Sequence, residues 1–159
     1  MPDADYLGAA CPTLILYLPH RPNGLARLQQ RPDATALVAA NSNHWRKIVN
    51  LLAKVASPVA EDWRCFRDTS LFQNTALCFA PALSGGEGWH WIGGKDNLQR
   101  FAGLEHNARP LERAPGVAVD TGRRLLLTPY PDYRQLSNDL VAQVRLSLEA
   151  QGVYGGANS

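Results

Sequence analysis

Thr13-Leu14-Ile15-Leu16-Tyr17-Leu18 is a continuous apolar run that stops at Pro19. A strand with one wet face alternates apolar and polar residues, so an unbroken run reads as a strand buried on both faces, the kind found in parallel sheets covered by helices. Three more segments repeat the pattern. Thr75-Ala76-Leu77-Cys78-Phe79-Ala80 ends at Pro81, Trp89-His90-Trp91-Ile92 runs into Gly93-Gly94, and residues 123–128, with Leu125-Leu126-Leu127 at their centre, end at Pro129. Between and beyond them the period changes. Behind the capping cluster Asn41-Ser42-Asn43, the residues Trp45, Ile48, Val49, Leu52 and Val55 recur at three- and four-residue spacing, which predicts a helix over 43–56 closed by Ser57-Pro58. Leu136, Leu140, Val141, Val144 and Leu148 predict another over 135–150.

Shorter helical stretches are expected at 25–30, at 33–40 and after Lys95, with a helical or looped crossover over 59–73. Val117-Ala118-Val119, the turn Asp120-Thr121-Gly122 and the last strand read as a hairpin. Strands that alternate with helices predict an α/β fold: a three-layer αβα sandwich around a four-stranded, mainly parallel sheet. At 159 residues the chain has the length of a single domain. Its core is expected at about 13–150, flanked by irregular residues at 1–12 and 152–159.

A hydrophobic fraction of 45% with 19% charged residues places the chain among globular proteins and excludes intrinsic disorder. No apolar run approaches the ~20 residues of a membrane span, and Met1-Pro2-Asp3-Ala4-Asp5 is acidic where a secretory signal is basic. The cytoplasm is the expected compartment, with no membrane partner. Cys11, Cys65 and Cys78 are odd in number and far apart, which suits neither a disulfide framework nor a metal site. His20, His44, His90 and His106 are each isolated in sequence, so no metal ligand set is expected. The 16 basic and 14 acidic residues are scattered, so charge alone indicates no polyanion footprint.

Gly93-Gly94-Lys95 invites comparison with a phosphate-binding loop, but Trp89 stands where that motif needs its first glycine and Asp96 where it needs a hydroxyl for magnesium. No dinucleotide fingerprint is present, and no cofactor is expected. The chemically rich segments lie instead just past the strands. In open parallel sheets ligands bind beyond the carboxyl ends of the strands. Here those ends carry Pro19-His20-Arg21-Pro22-Asn23, Gly94-Lys95-Asp96 and Tyr130-Pro131-Asp132-Tyr133-Arg134, and Asn41-Ser42-Asn43-His44 joins them if its helix starts on that side. Prolines and asparagines are explained by turns; Tyr133 and Arg134 are not required by one. Arg134 offers a planar fork for phosphate or carboxylate, while an Asp132 cap and an ordinary surface pair for Arg134 form the structural alternative.

Element by element, the chain resembles the uracil-DNA glycosylase superfamily, particularly its mismatch-specific branch. That family has a first buried strand leading into Gly-x-Asn-Pro-Gly, and here Leu14–Leu18 leads into Pro19-His20-Arg21-Pro22-Asn23-Gly24. Its Asn-x-Phe-Trp helix start is similar to Asn43-His44-Trp45-Arg46-Lys47. Its Gly-Lys before a helix is similar to Ile92-Gly93-Gly94-Lys95, and its closing Asn-Pro-Ser or His-Pro-Ser to Tyr130-Pro131-Asp132. The resemblance implies a spatial strand order second-first-third-fourth and a glycosylase-like cleft. It also implies that the positions which handle water and the departing base hold His20 or Arg21, and Tyr130. An arginine cannot accept a proton at neutral pH.

The chain also looks like an uncharacterised bacterial domain family, through Asn43-His44-Trp45-Arg46-Lys47 and Pro129-Tyr130-x-Asp132-Tyr133-Arg134-Gln135-Leu136-Ser137. Three functions stay open. The first is a domain that binds nucleic acid or a nucleotide-like anion in a cleft without the usual catalytic residues. It would use Arg21, Lys95 and Arg134 for the anion, with Asn43 on the rim and Trp45, Tyr130 or Tyr133 as stacking surfaces. The second is a base-excision or related hydrolytic enzyme with His20 or Asp132 as acid/base group. The third is a structural or interaction role.

Overall fold

A computed structural model of the chain describes residues 5–85 and 87–154. The irregular tail expected at 155–159, the acidic start at 1–4 and Gly86 of the glycine loop lie outside the described residues.

The strands are β1 (Tyr6–Gly8), β2 (Leu14–Tyr17), β3 (Thr75–Cys78), β4 (Trp89–Gly93), β5 (Arg109–Leu111), β6 (Ala114–Asp120) and β7 (Leu125–Thr128). The helices are α1 (Leu25–Gln30), α2 (Ala34–Ala39), α3 (Asn43–Ala56), α4 (Trp63–Thr69), α5 (Leu71–Asn74), α6 (Lys95–Gln99) and α7 (Asn138–Ala150), with a 3-10 turn at Ala60–Asp62 before α4. The α/β class stands. The four-stranded, mainly parallel sheet does not: among the described residues there is one mixed sheet of seven strands in the order β1-β3-β2-β4-β7-β6-β5. Its centre is the four expected strands, mutually parallel and in the order second-first-third-fourth. The additions are antiparallel edges. β1, where an irregular lead-in was expected, pairs with β3, and β5 extends the β6–β7 hairpin. Three-residue strands such as β1 and β5 carry too little periodicity to be legible alone; pairing partners supplied by tertiary structure create them.

The two faces of the sheet are covered very unequally. Alternation along β2 sends Leu14 and Leu16 to one face and Ile15 and Tyr17 to the other. The first face packs against residues from α1 to α5 and α7, including Leu37, Ile48, Leu52, Phe66, Phe72 and Val144. Each of these side chains contributes about 1.5–3 kcal/mol by leaving water. Among the described residues, the second face is covered by α6, Phe101 and loop residues such as Leu83 and Leu104. The expected second outer layer is thus a five-residue helix with loops around it.

Candidate functional site

The parallel centre puts the carboxyl ends of β2, β4 and β7 side by side, and three polar contacts fix the loops that leave them. Asn41, just ahead of α3, accepts the Asn23 backbone N–H at 2.7 Å and returns a hydrogen bond to the Asn23 carbonyl at 3.2 Å, which ties the loop after β2 to the start of α3. Asn97, buried in α6, donates to the Tyr17 carbonyl at 2.7 Å and the Gly93 carbonyl at 3.3 Å. Asp132 accepts the Arg134 backbone N–H at 2.9 Å, closing the turn after Pro131.

Gly93 and Gly94 serve that last loop. A Cβ on Gly93 would lie 2.7 Å from the Pro131 ring, and Gly94 has φ +95° with the Tyr130 side chain against it. Both positions need glycine so that the Tyr130 loop can close onto the end of β4. This accounts for the glycine pair without a phosphate loop.

The result is a cluster of three rings. The Tyr130 hydroxyl is 2.7 Å from His20 Nε2 and 3.0 Å from His44 Nε2. The His44 ring stacks on Tyr130, with an interplanar angle of 15°, and the His20 ring meets His44 edge-on at 5.5 Å between centroids. Trp45 forms the floor. Its indole is 6% exposed and packs between His20 and Phe79, so it is a wall of the site and offers no free face for stacking. Beside Tyr130 an open groove of about 620 Å³ is lined by Pro19, Lys95, Asn97, Gly116, Thr128 and Gln135, among others.

Burial, the main cause, pushes the Tyr130 hydroxyl up to about 12, with the charge of Asp132 adding to it, so it remains a neutral donor and acceptor at physiological pH. His20 is held below the usual imidazole range, chiefly by desolvation and also by its electrostatic coupling to His44 and the Arg100 guanidinium, against a hydrogen bond to its own backbone. Asp132 is held below the usual carboxylate range, first by the Arg134 N–H and then by Lys47, whose Nζ lies 3.8 Å away. An ionised, turn-forming carboxylate of this kind is a poor proton donor.

The remaining candidates divide. Lys95 is exposed on the groove. Tyr133, 38% exposed, accepts a hydrogen bond from Asn50 at 2.8 Å, and Lys47 and Lys54 stand over its ring. Arg134 is exposed and has no ion-pair partner among the described residues. Arg21 pairs with Asp5. Asn43 accepts from Arg46 Nε at 2.7 Å on α3.

Sequence reasoning missed Arg100. Its Nη2 donates to the Leu18 carbonyl and its Nε to Asn97, each at 3.0 Å, and among the described residues no carboxylate pairs with it. It sits just past a short helix with no motif around it, so no local signal existed.

Among the described residues, no group of three or more His, Cys, Asp or Glu side chains is arranged to hold a metal ion, and no helix is long and apolar enough to cross a membrane. A second hollow of about 570 Å³, at the opposite end of the sheet, is lined by Cys11, Thr13, Trp89 and Arg124, among others. The Arg124 side chain there is engaged with the Glu87 carbonyl, and no histidine lines the hollow.

No curated protein and no solved structure matches the chain. The match that exists corresponds to the expected uncharacterised domain family and carries no glycosylase assignment. It spans residues 5–149, from β1 to the last turn of α7, and so takes in every residue of the ring cluster; the chain belongs to the family of unknown function DUF6942.

Proposed function

We propose that the chain binds nucleic acid or a nucleotide-like anion on the rim formed by the carboxyl ends of β2, β4 and β7, in a glycosylase-like cleft whose usual catalytic residues are replaced. The observation that carries this reading is the convergence of His20 and His44 on the Tyr130 hydroxyl beside a groove bearing Lys95. Convergent polar groups next to an open concavity are the common form of a ligand site. The strand order of the sheet centre, which a glycosylase-like plan implies, supports the second half of the reading.

In such a plan a base is received between the first and last loops. Here the residues at those places, His20 and Tyr130, hydrogen-bond each other, which favours binding at the adjoining groove over base excision. A base-excision or related hydrolytic enzyme is the second reading. Desolvation holds His20 below the usual imidazole range and so keeps its ring neutral at physiological pH, as a general base requires, which favours this second reading.

The test is titration with labelled single-stranded and mismatched duplex DNA across a salt series. Affinity is expected to fall steeply as salt rises. Arg134→Ala is expected to weaken binding with its melting temperature nearly unchanged. Salt-independent or absent binding, or an Arg134→Ala variant that binds normally but melts clearly earlier, sinks the reading. Base release from the same substrates would establish the second one.

A further inference from the structure

We propose that the rim cleaves single-stranded RNA by internal attack of the substrate's own 2′-hydroxyl, with His20 and His44 as the proton-transferring pair and Tyr130 as the hydroxyl that joins them. The inference rests on the reading that this rim receives a phosphate-bearing ligand, and goes beyond it by naming a reaction and the substrate it requires.

A hydroxyl has a single proton, so Tyr130 can donate to one imidazole only, and the other must donate to its oxygen. The two rings are therefore held in complementary states, one Nε2 a lone pair and the other an Nε2–H. The reaction uses the state in which His20 Nε2 accepts from Tyr130 and its ring proton sits on Nδ1. His44 Nε2–H then donates to the Tyr130 oxygen at 3.0 Å, and its Nδ1 lone pair has no partner among the described residues. One ring thus presents a base at Nδ1 and the other an acid at Nδ1, and the Tyr130 hydroxyl joins their two Nε2 atoms.

That pairing fits a reaction whose nucleophile comes with the substrate. His44 Nδ1 takes the proton of the 2′-hydroxyl as the 2′-oxygen bonds to phosphorus. His44 Nε2–H passes to the Tyr130 oxygen, and the Tyr130 proton passes to His20 Nε2. The phosphorus–O5′ bond breaks and the 5′-oxygen takes the Nδ1 proton of His20. The products are a 2′,3′-cyclic phosphate and a 5′-hydroxyl end; no electrons are exchanged, and each ring finishes in its other tautomer. Hydrolysis of the cyclic phosphate by water runs the same path backwards and restores both rings. Arg100, anchored by Leu18 and Asn97 and with no carboxylate partner among the described residues, and Lys95 on the groove supply cations for the phosphoryl oxygens. DNA lacks the 2′-hydroxyl and is excluded by chemistry as a substrate, though it can still bind.

The experiment incubates the intact protein with a labelled single-stranded RNA oligonucleotide, the same sequence in DNA, and its 2′-O-methyl form, with a chelator present, and measures binding to all three. The expected result is cleavage of the RNA alone, giving fragments with cyclic phosphate or 3′-phosphate and 5′-hydroxyl ends. His44→Gln and His20→Gln, purified in parallel, should each lose a factor of about 10²–10⁴ in rate, the ordinary worth of a general acid or base. Tyr130→Phe should lower kcat with KM little changed. Salt-dependent RNA binding without cleavage overturns this inference and leaves the binding function standing; absence of binding overturns both. Equal cleavage of DNA or 2′-O-methyl RNA, or full activity in a variant carrying both His20→Gln and His44→Gln, also overturns it. The substrate comparison uses the unaltered protein, so it decides the matter whether or not a variant folds.

Discussion

Tyr17–His90 and Tyr130–His20 are both tyrosine–histidine hydrogen bonds of 2.7 Å, set in opposite surroundings. Tyr17 lies inside the sheet, fully buried on the thinly covered face, with the edge of Phe101 against its ring. Its oxygen accepts the Ser84 backbone N–H at 2.9 Å, and His90 Nδ1, 2.7 Å away, is the partner within reach of its own proton. That arrangement ties the loop after β3 to β2 and β4. Tyr130, half-buried at the rim, has a second imidazole where Tyr17 has a backbone amide. The contact is the same, and the third partner decides its use: an amide holds the proton in place, whereas an imidazole can receive it or give it up.

The sharpest way to break the comparison is to remove each hydroxyl in turn. Tyr17→Phe leaves the buried His90 and the half-buried Ser84 amide without their partner, and is expected to cost about 1–3 kcal/mol. For a chain of this size that lowers the melting temperature by about 2–4 °C per kcal/mol, with rim binding unchanged. Tyr130→Phe, whose partners can turn to water, should move thermal stability much less. If the two variants lose equal stability, the distinction between a structural and a functional pair collapses.

Acid should sharpen the same contrast by a smaller amount. Burial lowers the proton affinity of His90, and burial assisted by Arg100 and His44 lowers that of His20. A histidine whose folded value lies below its unfolded one binds more protons when unfolded. Its contribution is therefore fully present above the unfolded value of about 6.5 and is lost as pH falls from there through the folded value. Asp120 and Asp132, held below the carboxylate range, lose theirs only below about 3.9. Melting temperature followed downward from about pH 7.5 should fall through the imidazole window, less steeply in His90→Gln. In His20→Gln the flattening should be weaker, because solvent screens a group at the exposed rim. An unaltered slope in His90→Gln would refute the desolvation assigned to it.

The smallest expected effect belongs to Arg21. Its pair with Asp5 is exposed on the arginine side, and such pairs contribute about 0–1 kcal/mol. Arg21→Ala should leave both the melting temperature and the affinity at the rim almost unchanged. A large loss of affinity would bring Arg21 back into the site.

The amino-acid sequence by itself determined the centre of this molecule. Apolar-rich stretches at 13–18, 75–80, 89–92 and 123–128, with a helix of clear period at 43–56, specify parallel buried strands and their main cover, because burial on two faces favours apolar side chains at successive positions. It also marked His20, Lys95, Tyr130 and Asp132 as residues just past strand ends. Tertiary structure decided the rest. The edge strands β1 and β5 are three residues long and exist by virtue of their partners. The meeting of His20, His44 and Tyr130 joins positions separated by 86 and 110 residues, which no local pattern encodes. The glycine pair shows the same limit: Gly93 and Gly94 are plain in the sequence, but only the approach of Pro131 and Tyr130 shows what they make room for. Local periodicity reports which faces are buried; which side chains then share a rim depends on how the loops are tied across the sheet, and here asparagines 23 and 41 and Asn97 do the tying.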